Sequence, residues 1–296
     1  MSHYPPSGTT DHNWFVETFT AGGCSFGLQI NQLLHQETTP IQTISIYDTQ
    51  TFGNLMVIDG CIMLTTRDNF LYHEMMTHPA LLTHSQPKKV AIIGGGDCGS
   101  LYETLKHSSV ESVIQIEIDE RVTRLAERYF PELCQSNHDS RAQLLFQDGI
   151  DWIMQQPPAS LDVIIIDSTD PVGPAEALFS DRFYTACYQA LATGGVLVQQ
   201  TESPLLHGTS IIGQAHADLK SAGFNSVRSL YFPQPVYPSG WWTATLATKH
   251  GDATQFRQSQ PPHSTKYYSP AIHQSALACP PFMQQLIDQA VNRTDS

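Results

Sequence analysis

Positive charge is what this chain has least of: 15 Lys and Arg stand against 28 Asp and Glu in 296 residues, a formal net charge of −13. Such a field repels phosphates, which excludes sequence-independent binding to nucleic acid or an anionic membrane and leaves room for cationic ligands. Cysteine pairs are lacking too. The six cysteines, Cys24, Cys61, Cys98, Cys134, Cys187 and Cys279, are scattered, with no C-x-x-C among them. Neither a zinc motif nor a dense disulfide framework is indicated, so a reducing compartment is expected. No apolar run approaches the roughly 20 residues that span a bilayer. The polar start MSHYPPSGTTDH has neither the basic nor the apolar region of a signal peptide. A soluble cytoplasmic protein, with no partner among nucleic acids or membranes, is the expectation. Internal repeats and low-complexity segments are absent as well.

What is present divides into two patterns. Residues 1–12 read as a weakly ordered lead. From Trp14 to about Thr66, short runs rich in β-branched and aromatic residues (WFVETFT, GLQINQLLHQ, IQTISIYD, FGNLMVIDG, CIMLTT) predict an antiparallel meander. Asp59-Gly60, between two apolar runs, predicts a hairpin turn. Near Asn69 the register changes: FLYHEMMTHPALL spaces its apolar residues as a helix. Beyond Lys88 near-continuous apolar strands (VAIIGGG, SVIQIEID, AQLLFQD, LDVIIID, GGVLVQQ) alternate with helical stretches, the mark of a parallel sheet covered on both faces. NSVRSLYF and WWTATLATK predict a hairpin at the sheet edge, and the tail a short helix, a Pro-Pro break and a final helix. The expected class is therefore α/β, with a β-strand domain over 1–68 and a Rossmann-like domain over 69–296.

The strand VAIIGGG followed by Asp97 and a helix reads as a nucleotide-binding turn. Gly94 and Gly96 let the backbone approach a ligand at the carboxyl end of a strand. Glu117, about 20 residues on at the end of the next strand, is where an acid holds ribose hydroxyls. An NAD site is disfavoured because Asp97 beside the glycines would face a pyrophosphate; a nucleoside carrying a positive centre fits better. Asp148-Gly149, after the next strand, can accept from an adenine amine, or Asp148 can simply cap a helix. The densest constellation is DVIIIDSTDPVGPAEALF, residues 162–179. Asp167 ends an apolar strand and Asp170 follows three residues later, in a loop with Pro171, Gly173 and Pro174. The pair makes an anionic pocket with a potential lid, although Asp170 before proline also suits a turn and Asp167 a cap. No spacing of histidines suggests a metal site.

YHEMMTHPAL, GGGDCG, IEIDE, QDG and DSTDPVGPAEALF, in chain order, resemble the signature blocks of spermidine synthases, and QTESP, VYPSGWW and YYSPAIHQSALACPPF extend the resemblance over nearly the whole chain. The resemblance implies a methyltransferase-like Rossmann fold with a small N-terminal antiparallel β domain, assembling as a homodimer or homotetramer. It implies transfer of an aminopropyl group from decarboxylated S-adenosylmethionine, a co-substrate rather than a cofactor, to putrescine or a similar diamine. Gln42, Glu117, Asp148 and Gly149 would bind the methylthioadenosine portion, and Asp97 the terminal ammonium of the aminopropyl arm. Asp167 would take the amine proton, steadied by Tyr72. Tyr72, His73, Asp170, Gln200 and Tyr237 would contact substrate, and Trp14 would line the diamine channel.

The chain also departs from that pattern. Cys98 replaces a glycine, Tyr102 an arginine and Met63 a glutamine, and Thr66 and Asn69 stand where acids are expected. Two other readings share these residues: an S-adenosylmethionine-dependent amine N-methyltransferase, and a non-catalytic polyamine- or nucleoside-binding homologue. Asp97 discriminates against the first, since a carboxylate there would repel the carboxylate of S-adenosylmethionine. The retained acids Asp97, Asp167 and Asp170, with Tyr237, count against the second.

Overall fold

A computed structural model describes residues 8–9, 13–169, 173–257 and 265–294. The first unit is an antiparallel meander in chain order: β1 (Gly8–Thr9), β2 (Trp14–Phe19), β3 (Cys24–Thr38), β4 (Thr43–Thr49), β5 (Asn54–Ile58) and β6 (Cys61–Thr65). Of the lead expected to be weakly ordered, Gly8 and Thr9 pair with Val16 and Phe15; the rest of it lies outside the described residues. β3 starts earlier than the sequence suggested. Gly27 falls inside the strand because a Cβ there would stand 2.9 Å from the Phe15 carbonyl oxygen, a close approach that only glycine permits. Asp59 (φ 49°) and Gly60 (φ 86°) both take the left-handed conformation between Ile58 and Cys61, a two-residue turn whose twist matches the strands. The Asp59 side chain also accepts from the Thr43 amide at 2.8 Å, tying the turn to β4.

The second unit opens with α1 (Asn69–Thr83) and continues through β7 (Lys89–Gly94), α2 (Gly99–Leu105), β8 (Ser112–Glu117), α3 (Glu120–Tyr129), β9 (Ala142–Phe146), α4 (Gly149–Met154) and β10 (Leu161–Asp167). After a 3-10 segment, Gly173–Phe179, come α5 (Asp181–Ala190), β11 (Leu191–Gln200), a π turn over Gly208–Ile212 and α6 (Gly213–Ser221). β12 (Ser226–Pro233), β13 (Trp241–Thr248), α7 (Pro270–Ala276) and α8 (Pro281–Thr294) complete it. The sheet order is β12-β13-β11-β10-β7-β8-β9. β9, β8, β7, β10 and β11 run parallel, and the β12–β13 hairpin closes the edge antiparallel.

Burial explains the apolar runs: Val163, Ile164, Ile165 and Ile166 of β10 are fully enclosed. Each such side chain contributes about 1.5–3 kcal/mol relative to exposure. The chain leaves β7 toward β8 and β9 on one side and returns through β10 and β11 on the other. A switch point therefore opens at the carboxyl ends of β7 and β10, where Gly94 lies opposite Asp167. The first sheet is clasped on both faces. Val122, Leu125 and Ala126 of α3, with Phe130 at its C-terminal cap, pack on Ile44, Ile46, Met56 and Leu64. On the other face Val236, from the β12–β13 connection, packs on Phe15, Tyr47, Val57 and Ile62.

Candidate active site

A cavity of about 270 Å³ opens at the switch point, between the β7 turn and the β5–β6 hairpin. Gln42, Ile58, Asp59, Gly94–Asp97, Glu117, Asp148, Gly149 and Asp167 all line it. A second chamber of about 30 Å³, lined by Glu17, Ile62, Gln200, Pro238 and Trp242, shares Cys61, Met63, Tyr72, Ser168, Thr169 and Tyr237 with the first.

The floor of the large cavity is glycine for steric reasons. A Cβ on Gly94 would lie 2.2 Å from the Asp167 carbonyl oxygen, one on Gly96 2.6 Å from Glu117 Oε2, and one on Gly149 2.5 Å from Ile93. The Gly95 amide donates to the Asp167 carbonyl at 2.7 Å, stitching the two strand ends together. Asp97 follows. Its Oδ1 accepts from the Gly99 amide at 2.7 Å and its Oδ2 meets His73 Nε2 at 3.1 Å.

His73, expected against substrate, lines neither chamber; it is 2% exposed and stands behind Asp97. Gly99 is required there, because any Cβ would come within 2.2 Å of the imidazole ring. Burial works against charging this ring. The charge and hydrogen bond of Asp97, with Asp167 behind them, overcome it and carry the His73 pKa up to about 9. Burial likewise opposes ionisation of Asp97, yet the imidazolium holds its carboxyl below the usual range.

Asp167 is the convergence point. Tyr72 donates to its Oδ1 at 2.7 Å and Ser100 to its Oδ2 at 2.6 Å. Burial, and then the charge of Asp97, push the Asp167 carboxyl up, only partly offset by His73 and the two hydroxyl donors. Its proton affinity is thus raised, as a proton acceptor in a water-poor site requires. Tyr72 stays protonated, its own pKa driven far up by burial and by Asp167. Ser100 was not among the residues read from the sequence. As the second residue of α2 it resembles any helix-start serine, and only the fold brings it to Asp167.

Glu117 faces the opposite end of the cavity. Burial, and less so Asp119, raise its pKa to about 7 while the Asp119 amide donates to Oε1 at 2.9 Å. Asp148 lines the cavity and also caps α4, its Oδ1 accepting from the Ile150 and Asp151 amides at 2.7 and 3.2 Å. The capping reading of that residue therefore holds, and the capped carboxylate still borders the cavity.

In the small chamber Gln200 donates to the Thr169 carbonyl at 3.3 Å and to Glu202 at 3.0 Å. The Tyr237 hydroxyl donates to the Met63 carbonyl at 2.5 Å, and its ring meets Tyr72 edge-on at 5.9 Å between centroids. Glu17, also missed in the sequence, is buried on the chamber wall and accepts from the Ile62 amide at 2.7 Å. Trp14 is 41% exposed and lines neither chamber. Asp170 lies outside the described residues.

The departures sort by location. The Asn69 amide donates to the Thr65 and Thr66 carbonyls at 2.9 and 3.1 Å, Thr66 accepts from the Asn54 amide at 3.1 Å, and Tyr102 carries the Lys106 ammonium 4.5 Å above its ring. These three hold the scaffold. Met63 and Cys98 differ: Met63 lines both chambers, and Cys98 adopts φ 69° beside Asp97, a conformation suited to the glycine it replaces. Among the described residues no group of three or more His, Cys, Asp or Glu side chains is arranged to hold a metal ion.

Comparison with known proteins agrees with this geometry. Residues 69–258 match the spermine/spermidine synthase domain, and residues 13–66 the spermidine synthase tetramerisation domain. The chain is 59% identical over 278 residues to a polyamine aminopropyltransferase of Thioalkalivibrio sulfidiphilus, covering 93% of this chain and 98% of that one. It is 56% identical over 282 residues to the polyamine aminopropyltransferase of Methylococcus capsulatus, covering 94% and 98%. Among solved structures, a spermidine synthase in complex with the transition-state analogue AdoDATO superposes with a TM-score of 0.90 at 33% identity, covering 97% of this chain and 99% of that one. The spermidine synthase of Thermotoga maritima gives a TM-score of 0.87, also at 33% identity, covering 97% and 98%.

Proposed function

Because this chain belongs to the spermine/spermidine synthase family and is a polyamine aminopropyltransferase, we propose that it moves the aminopropyl group of decarboxylated S-adenosylmethionine to putrescine, giving spermidine and methylthioadenosine. The observation that carries this reading is Asp167, which lines the large chamber between Ser100 and the shared-wall residue Tyr72, with Asp97 lining the same cavity.

The donor brings two positive centres, a sulfonium and an ammonium. Asp97 and Asp167 together carry two negative charges against one on His73, so the site favours an added cation. In this reading Glu117 accepts from the ribose hydroxyls, Asp148 from the adenine amine, and Gln42 and Gly149 complete the nucleoside wall. Asp97 takes the ammonium of the aminopropyl arm.

The diamine enters through the small chamber, against Gln200 and Tyr237, with Asp170 on its distal ammonium. An alkylammonium has a pKa near 10, so it must lose a proton before it attacks. Asp167 receives that proton while Tyr72 keeps the carboxylate oriented. The amine nitrogen bonds to the carbon next to sulfur, the carbon–sulfur bond breaks, and the electron pair stays on a neutral thioether. A neutral leaving group calls for no oxyanion hole and no metal or cofactor. Alignment of nucleophile and electrophile across the shared wall supplies the rate, and such positioning is worth on the order of 7–11 kcal/mol at best.

The test is turnover by purified protein offered each donor with a panel of amines, with products identified by mass. Spermidine and methylthioadenosine from the decarboxylated donor and putrescine are the expected products. A clear preference for a longer amine would replace putrescine as acceptor and leave the transfer chemistry standing.

Two further parts of this reading are open to direct measurement. The match of residues 13–66 to a tetramerisation domain favours an oligomer, proposed as a homodimer or homotetramer and checked by sedimentation. A cytoplasmic location is proposed for an enzyme whose substrates are small metabolites. No helix among the described residues is long and apolar enough to cross a membrane.

A further inference from the structure

Two thiols that the mechanism does not use meet the turn that carries Asp97, one from within it and one from outside. Cys98, fully buried, directs its Sγ to the Gly96 carbonyl at 3.6 Å and receives the Gln115 amide at 3.6 Å. Cys134, from the loop after α3 and partly exposed, directs its Sγ to the Asp97 carbonyl at 3.7 Å. The two thiols thus bracket one stretch of backbone, each against one of two consecutive carbonyls. The remaining cysteines differ in setting: Cys187 is buried in the core formed by β10, β11 and α5, and Cys279 meets the Tyr231 hydroxyl beside α8.

We propose that Cys98 and Cys134 form a reversible disulfide, and that this link is an oxidative modification site that disables the donor-binding turn. Glutathione disulfide or a similar small disulfide serves as oxidant. The more accessible Cys134 attacks it as a thiolate and releases one glutathione thiolate. Cys98 then attacks Cys134 Sγ and releases the second. One sulfur–sulfur bond forms as another breaks, and the two protein protons pass to the released thiolates.

A sulfur–sulfur bond of about 2.0 Å draws residue 134 and the turn toward each other. The same step removes the thiol hydrogens directed at the Gly96 and Asp97 carbonyls. Asp97 is adjacent in the chain to Cys98 and is held in line only by the Gly99 amide and His73. The Cys98 contact and burial both push the Cys134 thiol up. Thiolate is therefore scarce near neutrality and exchange speeds up with pH, which describes a slow response to sustained oxidation.

The effect on donor use rests on the proposed reaction; the cross-link itself does not. The test incubates the reduced full-length protein with glutathione disulfide at mildly alkaline pH, then maps disulfides by peptide mass under non-reducing conditions. Donor kinetics and methylthioadenosine affinity are measured on the same sample. The expected result is a Cys98–Cys134 link, with kcat/KM for the donor lowered about a hundredfold, the cost of ångström-scale misplacement, and restored by dithiothreitol. Cys134→Ser turns over like the reduced protein and resists the oxidant. If Cys98 and Cys134 remain alkylatable while Cys24, Cys61 or Cys279 take up glutathione, the assignment is overturned. A linked protein with unchanged donor kcat/KM and unchanged methylthioadenosine affinity overturns the disabling effect. Should no form of the protein transfer aminopropyl groups, the mapped link and the nucleoside affinity still decide this inference, and the failure falls on the reaction alone.

Discussion

The two chambers share a wall, yet they are held together in different ways. The large chamber is shaped by backbone: three glycines whose side-chain positions are filled by Asp167, Glu117 and Ile93, and amides of Gly95 and Gly99 bonded to residues 167 and 97. The small chamber is shaped by side chains reaching between elements: Tyr237 to the Met63 carbonyl, Gln200 to Thr169, Glu17 to the Ile62 amide. Backbone walls tolerate almost no substitution and fix one ligand shape. Side-chain walls can be rebuilt one residue at a time. Donor recognition should therefore be rigid in this chain and acceptor choice adjustable.

The most severe way to break that comparison is at Asp167, beside the shared wall. Asp167→Asn keeps the shape of both chambers and removes the proposed proton acceptor, so kcat should fall by about 10²–10⁴-fold, the range for losing a general base. Methylthioadenosine binding measured by calorimetry should stay near that of the parent. Turnover within a few-fold of the parent would remove Asp167 from the chemistry.

Next comes Glu117 in the large chamber. Glu117→Gln should raise the donor KM about tenfold or more, as expected for a charged hydrogen bond. Its pH dependence carries a sign. With the parent carboxyl titrating at about 7, the anion that ribose hydroxyls prefer is lost as pH falls, so donor affinity should rise as pH rises through 7. In the glutamine variant that dependence should flatten. A slope identical in both proteins would assign it to another group.

His73→Gln tests positioning. The donor KM should rise about tenfold with a smaller change in kcat, one pKa unit of lost electrostatic support being a factor of ten. Stability gives a second readout. The folded His73 pKa of about 9 exceeds its ordinary 6.5, so its contribution is complete below 6.5 and lost as pH rises through 9. The urea midpoint of the parent should therefore drop between pH 7 and pH 9, and that of His73→Gln should drop less.

The smallest effect is expected on the adjustable side. Tyr237→Phe removes one hydrogen bond, worth about 1 kcal/mol, and should raise the acceptor KM a few-fold while the donor KM stays put. Equal changes in both would erase the distinction between the chambers.

Much of this was legible in the residues. Short runs of β-branched and aromatic residues wrote the first sheet, Asp59-Gly60 its final turn, and unbroken apolar runs the parallel strands whose ends hold Gly94, Glu117 and Asp167. Burial around α1 was not legible. That helix is enclosed on nearly every side, with His73, Glu74, Thr77 and His78 as buried as Met75 and Met76. Spacing reveals the helix but cannot tell which polar residue faces substrate and which stands behind another carboxylate, as His73 does. Ser100 and Glu17 were missed for a related reason: each meets its partner across the fold, Ser100 on β10 and Glu17 on β6, and neither belongs to a local pattern. The long β3 was read short because glycine usually marks an end, whereas Gly27 marks a place where two strands come too close for a side chain.

The turn at Asp59-Gly60 closes a hairpin, and Met56, Ile58, Asp59, Cys61, Met63 and Leu64 around it line the large chamber. Strand pairing alternates faces, so one residue more or less in that turn would turn the lining residues of one strand to the opposite side. The exposed Thr20–Gly23 bend between β2 and β3 has no such duty. Over evolutionary time the two loops should therefore keep different records. Insertions and deletions can accumulate at the bend, while at the turn a lineage that changes length gives up its cavity lining along with its strand register.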